Sequence, residues 1–243
     1  MTAAPARIGL VCPPDHAVFG PVADRLRDRG FDVEFLEPGR ELARERLDGL
    51  DLLVNKKVRW ESLHALEYAY RNGIPAWNDY RTSMTFLNRL SQLQALAAVG
   101  FSVPPVYAEQ PEGEYVAKNF LDIRDDPALN GDGEFYQPLL EFDGTDYKYY
   151  AVDDGEGLQT AVVRFRSKLF GEREHLGPGT VDPAVEARLR RLFRFTGARG
   201  LGVDIVEVDG EPYAVDANPA TSFRRTGLED ALVDSLAVAA ADV

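Results

Sequence analysis

The chain has 243 residues, 45% hydrophobic and 28% charged, which is enough to bury a sizeable core in one large or two small domains. Forty acidic residues against 27 Lys and Arg give a net charge of −13, which argues against a basic nucleic-acid face. No apolar run approaches the ~20 residues that span a bilayer, the stretch up to Arg7 is too poor in apolar residues for a secretory signal, and the single cysteine, Cys12, cannot make an internal disulfide.

A cytoplasmic enzyme or binding protein is therefore expected. Only five of the bases are lysines, at 56, 57, 118, 148 and 168. That scarcity suits a salt-rich cytoplasm, or equally a GC-rich coding bias toward Arg and Ala.

In chain order, Arg7–Cys12 reads as a buried strand and Phe19–Arg29 as a helix stopped by Gly30. Phe31–Leu36 is a second strand, Arg40–Leu47 a short helix, Asp51–Asn55 a third strand, Trp60–Arg71 a helix closed by Asn72-Gly73, and Ile74–Asn78 a fourth strand. Strands alternating with helices predict an open parallel sheet with crossover connections. Such a sheet presents binding groups at the carboxyl ends of its strands, here near His16, Lys56, Lys57 and Asn78.

A longer helix is predicted over Thr82–Val99, from apolar residues at three- and four-residue spacing. Short strands follow at Tyr115–Lys118, Phe135–Leu140, Asp146–Val152 and Thr160–Arg166, and Gly177-Pro-Gly179 reads as a chain reversal. A helix over Pro183–Thr196 precedes Leu201–Val208 and Pro212–Asp216, joined by the hairpin dipeptide Asp209-Gly210. The final helix, Leu228–Ala240, carries Leu228, Leu232, Leu236 and Ala239 on one stripe. It is expected to pack internally, a homodimer through this face being the alternative.

The sharpest constellation lies on the Asp209-Gly210 hairpin. Asp204 comes near Asp216, and Asp216 and Asn218 share a face because strand side chains alternate. Two carboxylates and an amide oxygen make an oxygen-only site of the kind that holds magnesium or manganese when substrate phosphates complete the shell. The competing interpretation is a solvated hairpin in an acid-rich chain. Lys118 closes an apolar strand in a lysine-poor sequence, and Arg164 and Arg166 place two guanidinium groups on one face of the next long strand. Cations opposite an acid pair resemble a clamp for a nucleoside triphosphate.

From Asn78 to Phe223 the order of these motifs resembles the ATP-grasp superfamily, with the linker Asn88-Arg89 and Gly100–Pro104 closest to RimK-type carboxylate–amine ligases. The resemblance implies an α/β (α+β) ATP-grasp fold preceded by a parallel α/β domain. Residues 1–80 would form that domain, 81–103 a linker helix, 104–141 the small subdomain, and 142–243 the metal-bearing subdomain. It implies ATP and Mg2+ as cofactors. Asp204, Asp216 and Asn218 would be metal ligands, and Lys118 and Arg89 phosphate ligands. Gln137, Leu139 and Leu140 would form the adenine hinge, and Asp146 and Lys148 would border the ribose and acceptor. Arg164, with Arg166 beside it, would face the transferred phosphate.

Small-molecule or peptide carboxylates and amines are the implied substrates, joined through an acyl phosphate, with no nucleic-acid or membrane partner. His16, Lys56, Lys57, Arg224 and Arg225 are the candidates for acceptor contacts. Leu87–Gln94 and Tyr147–Val152 also resemble inositol-trisphosphate kinases, which keeps a polyol kinase as an alternative. The usual glycine-rich flap is shortened to Asn130-Gly-Asp-Gly133 beside acids, so a nucleotide-binding protein without turnover is a further alternative.

Overall fold

The computed structural model describes residues 4–123, 126–172 and 174–241, so the first three residues of the stretch read as too short for a signal lie outside them. The N-terminal part runs β1 (Arg7–Val11), α1 (Phe19–Asp28), β2 (Asp32–Leu36), α2 (Arg44–Leu47), β3 (Leu52–Asn55), α3 (Trp60–Asn72) and β4 (Ala76–Trp77). Its four strands are parallel in the order β2-β1-β3-β4. Ile8 to Val11 and Leu52 to Asn55 are buried, as strands covered on both faces must be. Gly73, at φ 72°, ends α3 in the left-handed conformation that glycine adopts without strain.

Two expectations are corrected in this region and the linker. The helix expected from Arg40 begins only at Arg44, because Ala43 is extended (φ −61°, ψ 136°). The single helix expected over Thr82–Val99 is two, α4 (Tyr80–Leu87) and α5 (Arg89–Ala98). Asn88 breaks it: its ψ of 107° leaves the helical region, and its side chain accepts from Ser91 N at 3.0 Å to cap α5. The interruption frees Arg89 N to donate to Phe120 O at 2.8 Å, which ties the linker to the next sheet.

That sheet is small and antiparallel, ordered β6-β5-β7 from β5 (Tyr115–Lys118), β6 (Ala128–Leu129) and β7 (Phe135–Pro138). The short β6 was not anticipated. A five-stranded antiparallel sheet follows: β8 (Thr145–Asp153), β9 (Leu158–Arg166), β10 (His175–Pro178), β11 (Gly200–Val208) and β12 (Glu211–Asn218), ordered β10-β9-β8-β11-β12. Gly177-Pro178 belongs to β10 and pairs with β9 across an irregularity, so it does more than reverse the chain. Helix α6 (Pro183–Thr196) has Asp182 as N-cap, Pro183 in its first turn and Gly197 at φ 71° past its end.

The two faces of the large sheet bury different things. Tyr150, Val152 and Val163 pack with α1, Trp77, Phe223 and α7 (Glu229–Ala241). Tyr149, Ala151, Val162, Val203 and Ile205 pack on the other face with α5 and α6. The apolar stripe of α7 is thus buried within the chain, and Arg25–Asp230 and Arg29–Asp234 ion pairs join it to α1. Among the described residues, no helix is long and apolar enough to cross a membrane.

Candidate functional site

The β11–β12 hairpin turns at Asp209 (φ 51°) and Gly210 (φ 79°), the positive-φ pair that a two-residue hairpin needs. Its register places Asp204 directly opposite Asp216 and Gly202 opposite Asn218. A bulge follows, since Ile205 pairs with Ala214 and leaves Val215 as the extra residue. Like charges directly opposite each other on one sheet face are unfavourable unless a cation intervenes. Lys148, opposite Asp204 on β8, supplies part of that cation, with Nζ 3.0 Å from Asp204 Oδ1. Asp216 has no such partner among the described residues, and its Oδ1 is buried without a hydrogen bond.

A cavity of about 310 Å³ opens over this pair, between the small sheet and the large one. That is within the range of small-ligand sites. Lys118, from β5, reaches across it and donates through Nζ to Val215 O at 2.7 Å, the carbonyl that the bulge leaves outside the ladder. Burial pushes the Lys118 ammonium down to about 8 against the pull of Asp216, so it remains a cation at neutral pH. Burial works hardest against the charge of Lys148, but Asp204, Tyr150 and Asp216 together outweigh it and hold the group above its ordinary value. Burial raises the Asp216 carboxyl, with Lys118 pulling it down and Asp122 and Asp204 adding to the rise.

The other predicted ligands divide. Gln137, Leu139, Leu140 and Asp146 line the same cavity with Arg89, Lys118 and Lys148. Leu139 N already donates to Glu114 O at 2.9 Å, and Gln137 Nε2 to Pro104 O at 3.1 Å, so the hinge side chain is committed to holding the strand. Arg89 is 1% exposed and paired with Asp122 at 2.5 Å, an acid that the sequence reading passed over. Asn218 Oδ1 accepts from Ala220 N at 2.7 Å, which uses one of its two lone pairs.

Arg164 and Arg166 do share a face, but the structure does not bring them into the cavity. Arg164 stands opposite Tyr147 whereas Lys148 stands opposite Val163, so the arginine points to the other side of the sheet. Arg166 is exposed and paired with Glu174 at 3.1 Å.

The acceptor candidates also separate. Lys56 is 3% exposed. Its Nζ donates to Thr221 O at 2.6 Å and lies 4.6, 5.2 and 5.0 Å from the ring centroids of Phe19, Trp77 and Phe223. It is a structural group here and cannot meet a ligand at the surface. His16 Nδ1 accepts from Val18 N and Phe19 N at 3.2 Å each, so the ring caps α1, and burial together with Lys56, Arg224 and Lys57 lowers its pKa. Arg224 and Arg225 are exposed and Lys57 is half-buried; none of them is in an ion pair among the described residues.

The shortened flap is partly structural. Asn130 turns the chain at φ 49° and accepts from Tyr115 N at 2.9 Å, and Gly133 lies so close to the Lys118 backbone that a Cβ would sit 2.8 Å from Lys118 N. Of the acids in and beside it, Glu134 accepts from Phe120 N at 2.6 Å, and farther off Asp122 pairs with Arg89 and Asp126 with Lys168 from the turn after β9. Among the described residues, no three His, Cys, Asp or Glu side chains converge as a metal site. The donor set is therefore two carboxylates and one amide. It fits a hard cation, because Asp216 Oδ1 is buried and unsatisfied and the acid pair faces itself across the hairpin.

No protein-family model matches the sequence, and no curated protein matches it. Solved structures do match over nearly the whole chain. The ATP-grasp ligase PsnB complexed with a minimal precursor has a TM-score of 0.71 at 18% identity, covering 96% of this chain and 99% of its own. A RimK-domain ATP-grasp protein from Sphaerobacter thermophilus has 0.69 at 17%, covering 97% and 98%. The macrocyclase MdnC from Microcystis aeruginosa, bound to precursor peptide MdnA, has 0.69 at 10%, covering 96% and 99%. The chain has the ATP-grasp fold.

Proposed function

We propose that this protein is an ATP-dependent ligase that activates a carboxylate as an acyl phosphate and joins it to an amine. The observation that carries the reading is the meeting, in one cavity, of Lys118, Lys148 and a self-facing pair of carboxylates with an unsatisfied buried oxygen. Neighbours of the same fold support the ligands: PsnB is described in complex with Mg and ADP, and with precursor peptide and AMPPNP.

In this reading Asp204, Asp216 and the free lone pair of Asn218 hold magnesium, which neutralises charge on the phosphates during transfer. Lys118 and Lys148 place two cations beside the same phosphates, and their burial strengthens each contact. Arg89 sets the pocket wall through Asp122 rather than standing free for phosphate. The main chain of Pro138–Leu140, apart from the committed Leu139 N–H, reads the adenine edge. Arg164 and Arg166, on the far face, have no part in the transfer. Lys57, Arg224 and Arg225, at the carboxyl ends of the parallel strands and just past Asn218, meet the acceptor, for which a peptide is the favoured class.

The test is a thermal melt with and without Mg-ATP, followed by ADP release with carboxylate and amine together. A ligand at a hundred times its Kd stabilises the native state by about 2.7 kcal/mol. A magnesium-dependent rise that Asp216→Asn removes is expected. No shift at saturating Mg-ATP would reject the reading, and phosphate retained on a stable product instead of released as orthophosphate would favour the kinase.

A further inference from the structure

Strand β12 carries the carboxylate site and is the last strand of its sheet, so its outer carbonyls have no neighbouring strand. Two of its carbonyls, at Val215 and Ala217, and two just past its end, at Pro219 and Thr221, are nonetheless filled. Val215 O takes Lys118 Nζ at 2.7 Å, Ala217 O takes Gln92 Nε2 at 2.6 Å, Pro219 O takes Asn78 Nδ2 at 2.9 Å and Thr221 O takes Lys56 Nζ at 2.6 Å. The acceptors fall at every second residue and the donors come from four separate places: β5, α5, the turn after β4 and the end of β3. Lys118 belongs to the cavity already. Gln92, Asn78 and Lys56 lie outside it and are 1%, 3% and 3% exposed.

Buried polar groups of this kind are unfavourable unless every donor is used. The amide groups use both their N–H donors: Gln92 Nε2 also donates to Phe86 O at 2.8 Å. Asn78 Nδ2 also donates to Gly200 O on β11 at 2.6 Å, while its Oδ1 accepts from Arg199 N at 2.8 Å. Asn78 therefore ties the start of β11 to the residue just past β12, and does so at φ 57°. The need for such a grip follows from the bulge at Val215. A bulged edge strand is poorly fixed in register, and a slip of one residue would turn Asp216 from the cavity to the core face. Val215 and Ala217 are two apart on the pleat, so one slip would turn both carbonyls from Lys118 and Gln92, while the bonds at Pro219 and Thr221 anchor the chain where the strand ends.

We infer that Lys56, Asn78 and Gln92 are positioning residues that hold the register of Val215–Thr221 and so aim Asp216 and Asn218 at the cation. This rests on the proposed metal site. Outer groups that orient metal ligands commonly change metal affinity ten- to a hundredfold when removed.

The experiment titrates MgCl2 at a fixed saturating concentration of ATP and reads the melting temperature of purified wild type, Gln92→Met, Thr82→Val and Asp216→Asn. Thr82 is the control: its buried hydroxyl donates to Thr196 O at 2.9 Å, away from β12. Gln92→Met is expected to raise the magnesium midpoint about tenfold or more. Thr82→Val lowers the melting temperature without ligand and leaves the midpoint in place. A Gln92→Met midpoint within about threefold of wild type, or an equal shift in Thr82→Val, overturns the inference. Should Gln92→Met fail to fold, Lys56→Met reads the same quantity. Magnesium-dependent stabilisation that survives Asp216→Asn overturns the metal site itself, which is a separate failure.

Discussion

Lys56 sets two opposing effects against each other, and a single substitution decides between them. Burial pushes its ammonium down from 10.5 to about 7. Between those values the unfolded lysine keeps a proton that the folded one has lost, so stability rises with pH across that window. At about 1.4 kcal/mol per pH unit, the whole window is worth ~5 kcal/mol, and the part between pH 7 and pH 9 about 3 kcal/mol. Three ring faces within 4.6 to 5.2 Å pull the other way by favouring the cation. At about 0.5–1 kcal/mol each they offset roughly 2 kcal/mol, so desolvation wins by a reduced margin. Lys56→Met has no proton to lose. Measured by urea unfolding at pH 7, 8 and 9, wild type should gain on the variant by about 1–3 kcal/mol over the range. The neutral amine still donates to Thr221 O, so that link survives in the wild type at the alkaline end. Profiles that run parallel within about 0.5 kcal/mol would refute the argument and mean that the cage keeps the cation at every pH.

Three further outcomes can be checked with the same protein. Asp122→Asn strips the ion partner from Arg89, which is buried, and should lower stability by about 2–3 kcal/mol in urea, less than a fully buried pair because Asp122 is partly exposed. Gly200→Ala places a methyl group against the Trp77 ring, so overpacking should lower stability by about 3 kcal/mol or more while Gly210→Ala, which meets nothing, pays only for its φ of 79°. Burial raises the Cys12 thiol to about 11, against Lys56 and Lys57, so native protein at pH 8 should react with a thiol reagent only as fast as it unfolds.

Much of this site could be read from residue order. Asp209-Gly210 announced the hairpin and brought Asp204 near Asp216, but unbroken pairing outward from that turn sets Asp204 against Val215, and it is the bulge at Val215 that places the two carboxylates opposite each other. The scarcity of lysine was informative beyond its use for charge: Lys56, Lys118 and Lys148, three of the five, are buried. What period-two reasoning could not supply was the side of the sheet. It put Arg164 and Arg166 together correctly but had no means to tell the cavity face from the α6 face, because both faces of β9 are covered. The helix break at Asn88 was readable in principle only from asparagine's preference for a helix N-cap, but the apolar spacing continues through it. Asn78 was marked only as a group at a strand end and Gln92 not at all, because each acts through a carbonyl more than a hundred residues away.

The side chains seated along β12 have a consequence for what can attach to this molecule. An open sheet edge normally invites a foreign strand, by peptide addition or by pairing with a second copy. Along β12 and just past its end, from Val215 to Thr221, the carbonyls are taken by the chain's own groups, and further back Ser102 O takes Ala214 N at 2.9 Å. At the opposite margin β10 is only four residues long and irregular, and Pro178 offers no N–H. The large sheet is thus filled along one edge and blunted at the other without being closed into a barrel. A peptide reaching the carboxylate pair must come in over the sheet face through the cavity mouth, as a ligand and not as another strand.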